Sequence, residues 1–275
     1  MAELVGVFAA SHAPLIARDW KNLAPARQEQ FTAAFREMGR RVAASRPDVI
    51  IELSPDHWTN FFLDNLPSIC IGVGEAHDGP PEPFMRDFPV QPVPGHPALG
   101  QHIAATALAQ DFEPSISHHL KLDHGFCIPL WRMELPRLPR IVPIVVNDLE
   151  PPMLSVRRCL AWGKLLARAI ASFPERDLRV AILATGGLSH SIGEPDMGRI
   201  DETFDRDCIR VFAEGAEAPL VDFLEAHMAA AGNGTHEVRN WVIAHAAAGS
   251  HGFDLIDYRP VPEVYVGCGF ASWRM

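Results

Sequence analysis

Four short apolar runs constrain this chain most. They read LVGVFAAS (4–11), DVIIELS (48–54), RIVPIVVN (140–147) and RVAILATGG (179–187). Each is as long as a strand and far too short to cross a bilayer as a helix. A run that is apolar at successive rather than alternate positions suits a strand buried on both faces. Between the runs lie LAPARQEQFTAAFREMGRRVAAS (23–45), HPALGQHIAATALAQ (96–110) and PMLSVRRCLAWGKLLARAIASF (152–173), whose apolar residues recur at helical spacing. Buried strands alternating with helices predict an α/β fold: a central mixed sheet flanked by helices, with the active site at the strand carboxyl ends. No clean linker divides the 275 residues, so a single domain over 1–275 is expected. Residues 74–97 are dense in Pro and Gly, and a loop that long inside a compact domain is usually functional or disordered.

Charge and cysteine usage narrow the partners. The formal net charge is −10 and no run of Lys and Arg occurs, which argues against a nucleic-acid groove and against docking on an anionic membrane. The start, MAELVGVFAASHAPL, has no basic stretch ahead of its apolar run, so a secretory signal is not expected. Cys70, Cys127, Cys159, Cys208 and Cys268 form no CxxC pair. They suggest neither a zinc ribbon nor a redox pair, and they fit a reducing cytoplasm.

Histidine is the distinctive residue, with 13 in the chain. Three follow predicted strands: His12 in SHAP, His57 in SPDHW and His190 in TGGLSH. Ligands of open α/β sheets sit outside the strand carboxyl ends. One histidine there is ordinarily a turn residue; three on one edge point to a site. His124, in KLDHGFCIPL, reads by itself as a turn histidine. Glu237, in GNGTHEVRNWVIAHAAAG, falls in the first turn of a predicted helix that Thr235 would cap. An acid in that turn suits the helix dipole, and the same placement fixes a carboxylate on rigid backbone. Arg239 and Trp241, next to Glu237, could orient its carboxylate or contact a substrate, but the helix surface for Arg239 and core packing for Trp241 are the expectation.

Two histidines and a carboxylate without a thiolate make the facial triad associated with non-haem iron(II). Zinc accepts the same donors, so ligand types leave iron and zinc open, and with zinc a hydrolase. HEVRN departs from the zinc-protease HExxH at Asn240, and there is neither a GxSxG elbow nor a GxxxxGK[ST] loop. Asp56 is expected to support the His57 ring or to build the turn. Trp58, Phe61 and Phe62 either wall a pocket or pack in the core.

Taken in order, ASHAP, SPDHW, LDHGF, TGGLSH and GTHEVRNW resemble the class III extradiol ring-cleavage dioxygenases, which include the protocatechuate dioxygenase beta subunit and the dihydroxyphenylpropionate dioxygenases. The resemblance runs from residue 5 to the ending YRPVPEVYVGCGF. It implies Fe(II) as cofactor, held by His12, His57 and Glu237, and acid–base roles for His124 and His190. It implies a catechol-like vicinal diol and O2 as substrates, in aromatic catabolism. His190 is expected as the base and His124 as the acid. The family also implies association, as a homo-oligomer or with a small helical alpha-type subunit. The segment between TGGLSH and GTHE is short for a single-component member, and no fused helical region like that subunit is present. The loop at 74–97 is the candidate cover for the pocket.

Overall fold

The computed structural model describes all 275 residues. Its strands are β1 (Glu3–Ala10), β2 (Val49–Ser54), β3 (Ile69–Gly72), β4 (Ala76–His77), β5 (Val93–Pro94), β6 (Ser115–Ser117), β7 (Arg140–Val146), β8 (Arg179–Thr185), β9 (Phe253–Val261) and β10 (Val266–Trp273). Its helices are α1 (Leu15–Arg18), α2 (Pro25–Ser45), α3 (Pro97–Leu108), α4 (His124–Arg132), α5 (Val156–Ser172), α6 (Glu202–Glu214), α7 (Glu217–His227) and α8 (Val238–Ala247). Eight strands form one sheet in the order β6-β3-β7-β2-β8-β1-β10-β9, and β4 pairs with β5 in a separate ribbon.

The four apolar runs are the contiguous centre of that sheet. β1 is parallel to β8, β8 to β2, and β2 to β7. Their carboxyl ends therefore open on one edge. All six residues of β2 are buried, as expected for a strand covered on both faces. Side chains alternate between two cores. Val7, Ala9, Val49, Ile51 and Leu53 face the core built with α3, α5, α6, α7 and α8. Phe8, Ala10 and Ile50 face the core built with α1, α2 and α4. The mixed α/β sheet flanked by helices is thus as the sequence predicts.

The predicted helices form with locally sensible ends. Pro25 opens α2, and Arg46 closes it in a left-handed conformation ahead of Pro47. His96 caps α3 by accepting from the Leu99 N–H, and Ser155 caps α5 by accepting from the Arg158 N–H. The expected cap at Thr235 is corrected. Residues Asn233–Glu237 form a 3-10 turn, α8 begins at Val238, and no side chain caps it. Thr235 Oγ1 instead accepts from the His190 N–H at 3.4 Å. Every residue of α8 is buried, so Arg239 is not on a surface. Its Nε donates to the Leu154 carbonyl at 2.7 Å, which lets the guanidinium sit inside. Trp241 is in the core and donates to the Gly186 carbonyl. Residues 74–97 are ordered: they hold the β4–β5 ribbon and bury Met85, Phe88 and Val93. No helix is long and apolar enough to cross a membrane.

Candidate metal centre

The parallel strands bring His12, His57 and His190 to one edge, each in the turn that follows its strand. His124 arrives from the first position of α4, whose N-cap is Asp123. Glu237 closes the 3-10 turn before α8. Turn and strand ends that are far apart in sequence therefore converge on one point.

Each imidazole is fixed by its Nδ1. His12 Nδ1 lies 3.0 Å from Thr185 Oγ1, and His57 Nδ1 lies 3.1 Å from Asp123 Oδ2. His124 Nδ1 lies 2.7 Å from Glu82 Oε1, and His190 Nδ1 lies 3.0 Å from the Leu188 carbonyl. With Nδ1 engaged, Nε2 is the nitrogen left for the centre. A carbonyl only accepts, so His190 Nδ1 is a donor and Nε2 is the nitrogen that faces the centre.

Glu237 organises the middle. Its Oε2 accepts from the Gly187 N–H at 2.7 Å. Its Oε1 then lies 3.4 Å from His12 Nε2, 3.6 Å from His57 Nε2 and 3.8 Å from His190 Nε2. His12, His57 and His124 also offer nitrogens within 4.8 Å of one another. The His57 and His124 rings are 4.1 Å apart between centroids. Nε2 of His124 is buried with no hydrogen-bond partner.

The electrostatics follow from this crowding. Burial works to raise the Glu237 carboxyl, but His12 and His190 outweigh it and hold the group well below the usual carboxylate range. Burial lowers His12, with Glu237 only partly opposing. Burial also works against a charged His57, yet Asp123 and Glu237 prevail and raise it to about 10. Asp123 is correspondingly lowered: burial is overcome by His57. An ionised carboxylate amid convergent imidazoles is a cation-binding arrangement.

Residues 6–269 match the model of a family described as the catalytic LigB subunit of aromatic ring-opening dioxygenase. The chain belongs to this family. Among similar proteins is a 2,3-dihydroxyphenylpropionate/2,3-dihydroxicinnamic acid 1,2-dioxygenase of Burkholderia vietnamiensis, 28% identical and covering 94% of each chain. A protein of the same description from Klebsiella pneumoniae is 25% identical, over 95% of this chain and 96% of its own. An uncharacterized Escherichia coli K12 protein of known structure superposes with a TM-score of 0.65 at 15% identity, over 98% of this chain and 100% of that one; that likeness concerns the fold.

Around His57 the structure chooses between the two readings of Asp56. Asp56 does not support the ring. Its Oδ2 accepts from the N–H groups of Thr59, Asn60 and Phe61 at 2.9–3.0 Å, so it builds the turn. The carboxylate on His57 is Asp123, which takes both the ring Nδ1 and the backbone N–H, the latter at 2.6 Å. Asp123 stands in the quoted motif LDHGF, and an acid directly before a candidate histidine is the signal that would have found it. Glu82 is the second missed residue. It comes from the Pro-rich loop and accepts from both Nδ1 and N–H of His124. That loop therefore meets the site through Glu82 and through Phe84, whose ring centroid is 6.1 Å from that of His124.

A cavity of about 470 Å³ opens over the centre, in the size range of small-molecule sites. His12, His57, His124, His190 and Glu237 form its floor, and Trp58 lines it. Phe61 does not; it packs against the core beneath α2 and α4. A larger groove of about 620 Å³ lies among Arg46, Arg137 and Arg140 at the opposite strand ends, and none of the five floor residues reaches it.

Proposed function

We propose that this chain is an iron(II)-dependent extradiol dioxygenase that opens the ring of a catechol-like vicinal diol with O2. The observation that carries the reading is the carboxylate geometry: one oxygen of Glu237 is tied to Gly187, and the other faces three imidazole nitrogens. His12, His57 and Glu237 would hold the metal. Two imidazoles and one carboxylate suit iron(II), and the buried Nε2 of His124 without a partner leaves polar capacity beside them. Fe(II) bound there supplies Lewis acidity toward a diol hydroxyl and the redox centre that reaction with dioxygen requires.

The protein's own groups supply the rest. His190 presents Nε2 as a base, because Nδ1–H is committed to the Leu188 carbonyl; it takes the second proton of the diol. His124 is the acid. The Glu82 carboxylate accepts from Nδ1 and fixes that ring with Nε2 toward the centre, as in an Asp–His pair. Gly234 lies directly against the His190 ring, where no side chain fits, so the position of the base depends on a residue without a Cβ. The cavity keeps the reacting ring away from bulk water.

The relatives' printed substrates, dihydroxyphenylpropionate and dihydroxycinnamate, place this chain in aromatic catabolism. Five unpaired, buried cysteines fit the cytoplasm. Assembly as a homo-oligomer, or with a small helical partner, is part of the reading.

The test is anaerobic purification, addition of iron(II), and mixing with a catechol panel while following oxygen uptake and a yellow ring-opened product. Uptake that requires iron and not zinc is expected. No uptake with any catechol, or hydrolysis supported by zinc, would sink it. His57→Ala should lose bound metal. His190→Ala should keep metal and lose turnover.

A further inference from the structure

We propose that the pocket selects a diol whose ring substituent is uncharged and apolar. This deepens the dioxygenase reading and rests on it. It also separates the chain from relatives whose printed substrates carry a carboxylate.

Three observations support it. First, the mouth of the cavity is apolar. Trp58, Ile192, Met197 and Tyr265 all line it, and all four are exposed large hydrophobic side chains. Large apolar groups that gather around one opening mark a recognition surface rather than scattered exposure.

Second, two of these residues are held there against backbone preference. Trp58 has φ 57° and Tyr265 has φ 64°. Side chains other than Gly and Asn disfavour that region, and such strain persists where the fold over-determines it. Both strained positions deliver an aromatic ring to the same cavity.

Third, the charges lining the cavity do not favour a carboxylate. Outside the metal centre, the charged side chains lining the cavity are Arg18 and Glu150. Arg18 already donates to Asp19 Oδ2 from Nε at 3.2 Å and from its terminal nitrogen at 2.8 Å. Glu150 repels an anion. A carboxylate entering such a cavity shares the one guanidinium with Asp19 and faces Glu150, so it recovers little for the water it loses. An alkyl chain gains from the same walls.

The experiment compares 3-propylcatechol with 3-(2,3-dihydroxyphenyl)propionate, which have the same chain length and differ in charge. Affinity is measured by calorimetry on anaerobic iron-loaded protein, and kcat/KM by oxygen uptake. The neutral compound is expected to be favoured about tenfold or more in both. Asp19→Asn frees Arg18 and Glu150→Gln removes the repulsion, so each narrows the gap severalfold. Trp58→Asn keeps a residue that tolerates left-handed backbone and removes the ring; its loss should be larger for propylcatechol than for catechol. Equal or better use of the carboxylate by the wild type overturns the selectivity. If the neutral compound binds better but neither is cleaved, the selectivity stands and the dioxygenase reading fails.

Discussion

Asp123 Oδ2 grips His57 twice, at the backbone N–H (2.6 Å) and at Nδ1 (3.1 Å), while its Oδ1 caps α4 through Gly125 N–H (2.8 Å). One buried carboxylate thus sets both the ring orientation of a proposed ligand and the start of the helix that carries His124.

Asp123→Asn separates those two jobs. Asn caps a helix about as well as Asp, so α4 should keep its start, while the metal-free protein loses the buried Asp123–His57 ion pair and unfolds at lower urea. The charge behind His57 is lost, and metal affinity should fall by roughly 10–100-fold. Metal titration with a competing chelator checks it; unchanged affinity would show that Asp123 matters only to the helix.

Gly234→Ala probes the placement of the base. A Cβ there would overlap Nε2 and Cδ2 of His190, so the ring must move. A displacement near 1 Å can cost about a hundredfold in rate. Turnover should fall by that order while bound metal stays at the wild-type level. A variant with normal turnover would remove His190 from the role of base.

Glu82→Gln tests the acid. Gln keeps a polar partner near Nδ1 of His124 but removes the charge, so kcat should drop by about ten- to a hundredfold, with metal content unchanged. Loss of metal instead would make His124 a ligand, as its nitrogen's proximity to His12 and His57 allows.

Asp205 gives a pH signature. It is buried beneath the TGGLSH turn and accepts from Ser189 N–H, Ser189 Oγ and Tyr258 OH at 2.7–2.9 Å. Burial still pushes its carboxyl from 3.8 up to about 6. The unfolded chain therefore loses this proton first as pH rises. The contribution to stability is intact below the unfolded value, declines between the two values, and is flat above the folded one. The gap corresponds to about 3 kcal/mol. Asn cannot titrate, so wild-type stability relative to Asp205→Asn should decline from about pH 4 to about pH 6 in urea unfolding. A difference constant with pH would contradict the buried acid.

Much of the fold was legible because its centre is locally encoded. β7, β2, β8 and β1 are apolar at nearly every position, and that pattern needs no partner to be read. β9 was missed because it is mostly half-buried at an edge, with no clean alternation. β10 was missed because GCGF looks like a turn; its glycines serve close approach, and a Cβ on Gly267 would collide with Asp205.

Sequence alone determined the four central strands, the edge where their histidines gather, and the motif order that marks the family. It did so because strand burial and motif spacing are written along the chain. Only the tertiary structure decided that Asp123 rather than Asp56 backs His57, that Glu82 reaches back to His124, and that Arg18 is already paired at the pocket mouth. Those are contacts across 66 and 42 residues, or choices between neighbouring carboxylates. Nothing local distinguishes them, because which acid meets which ring depends on how separate turns pack over the sheet edge.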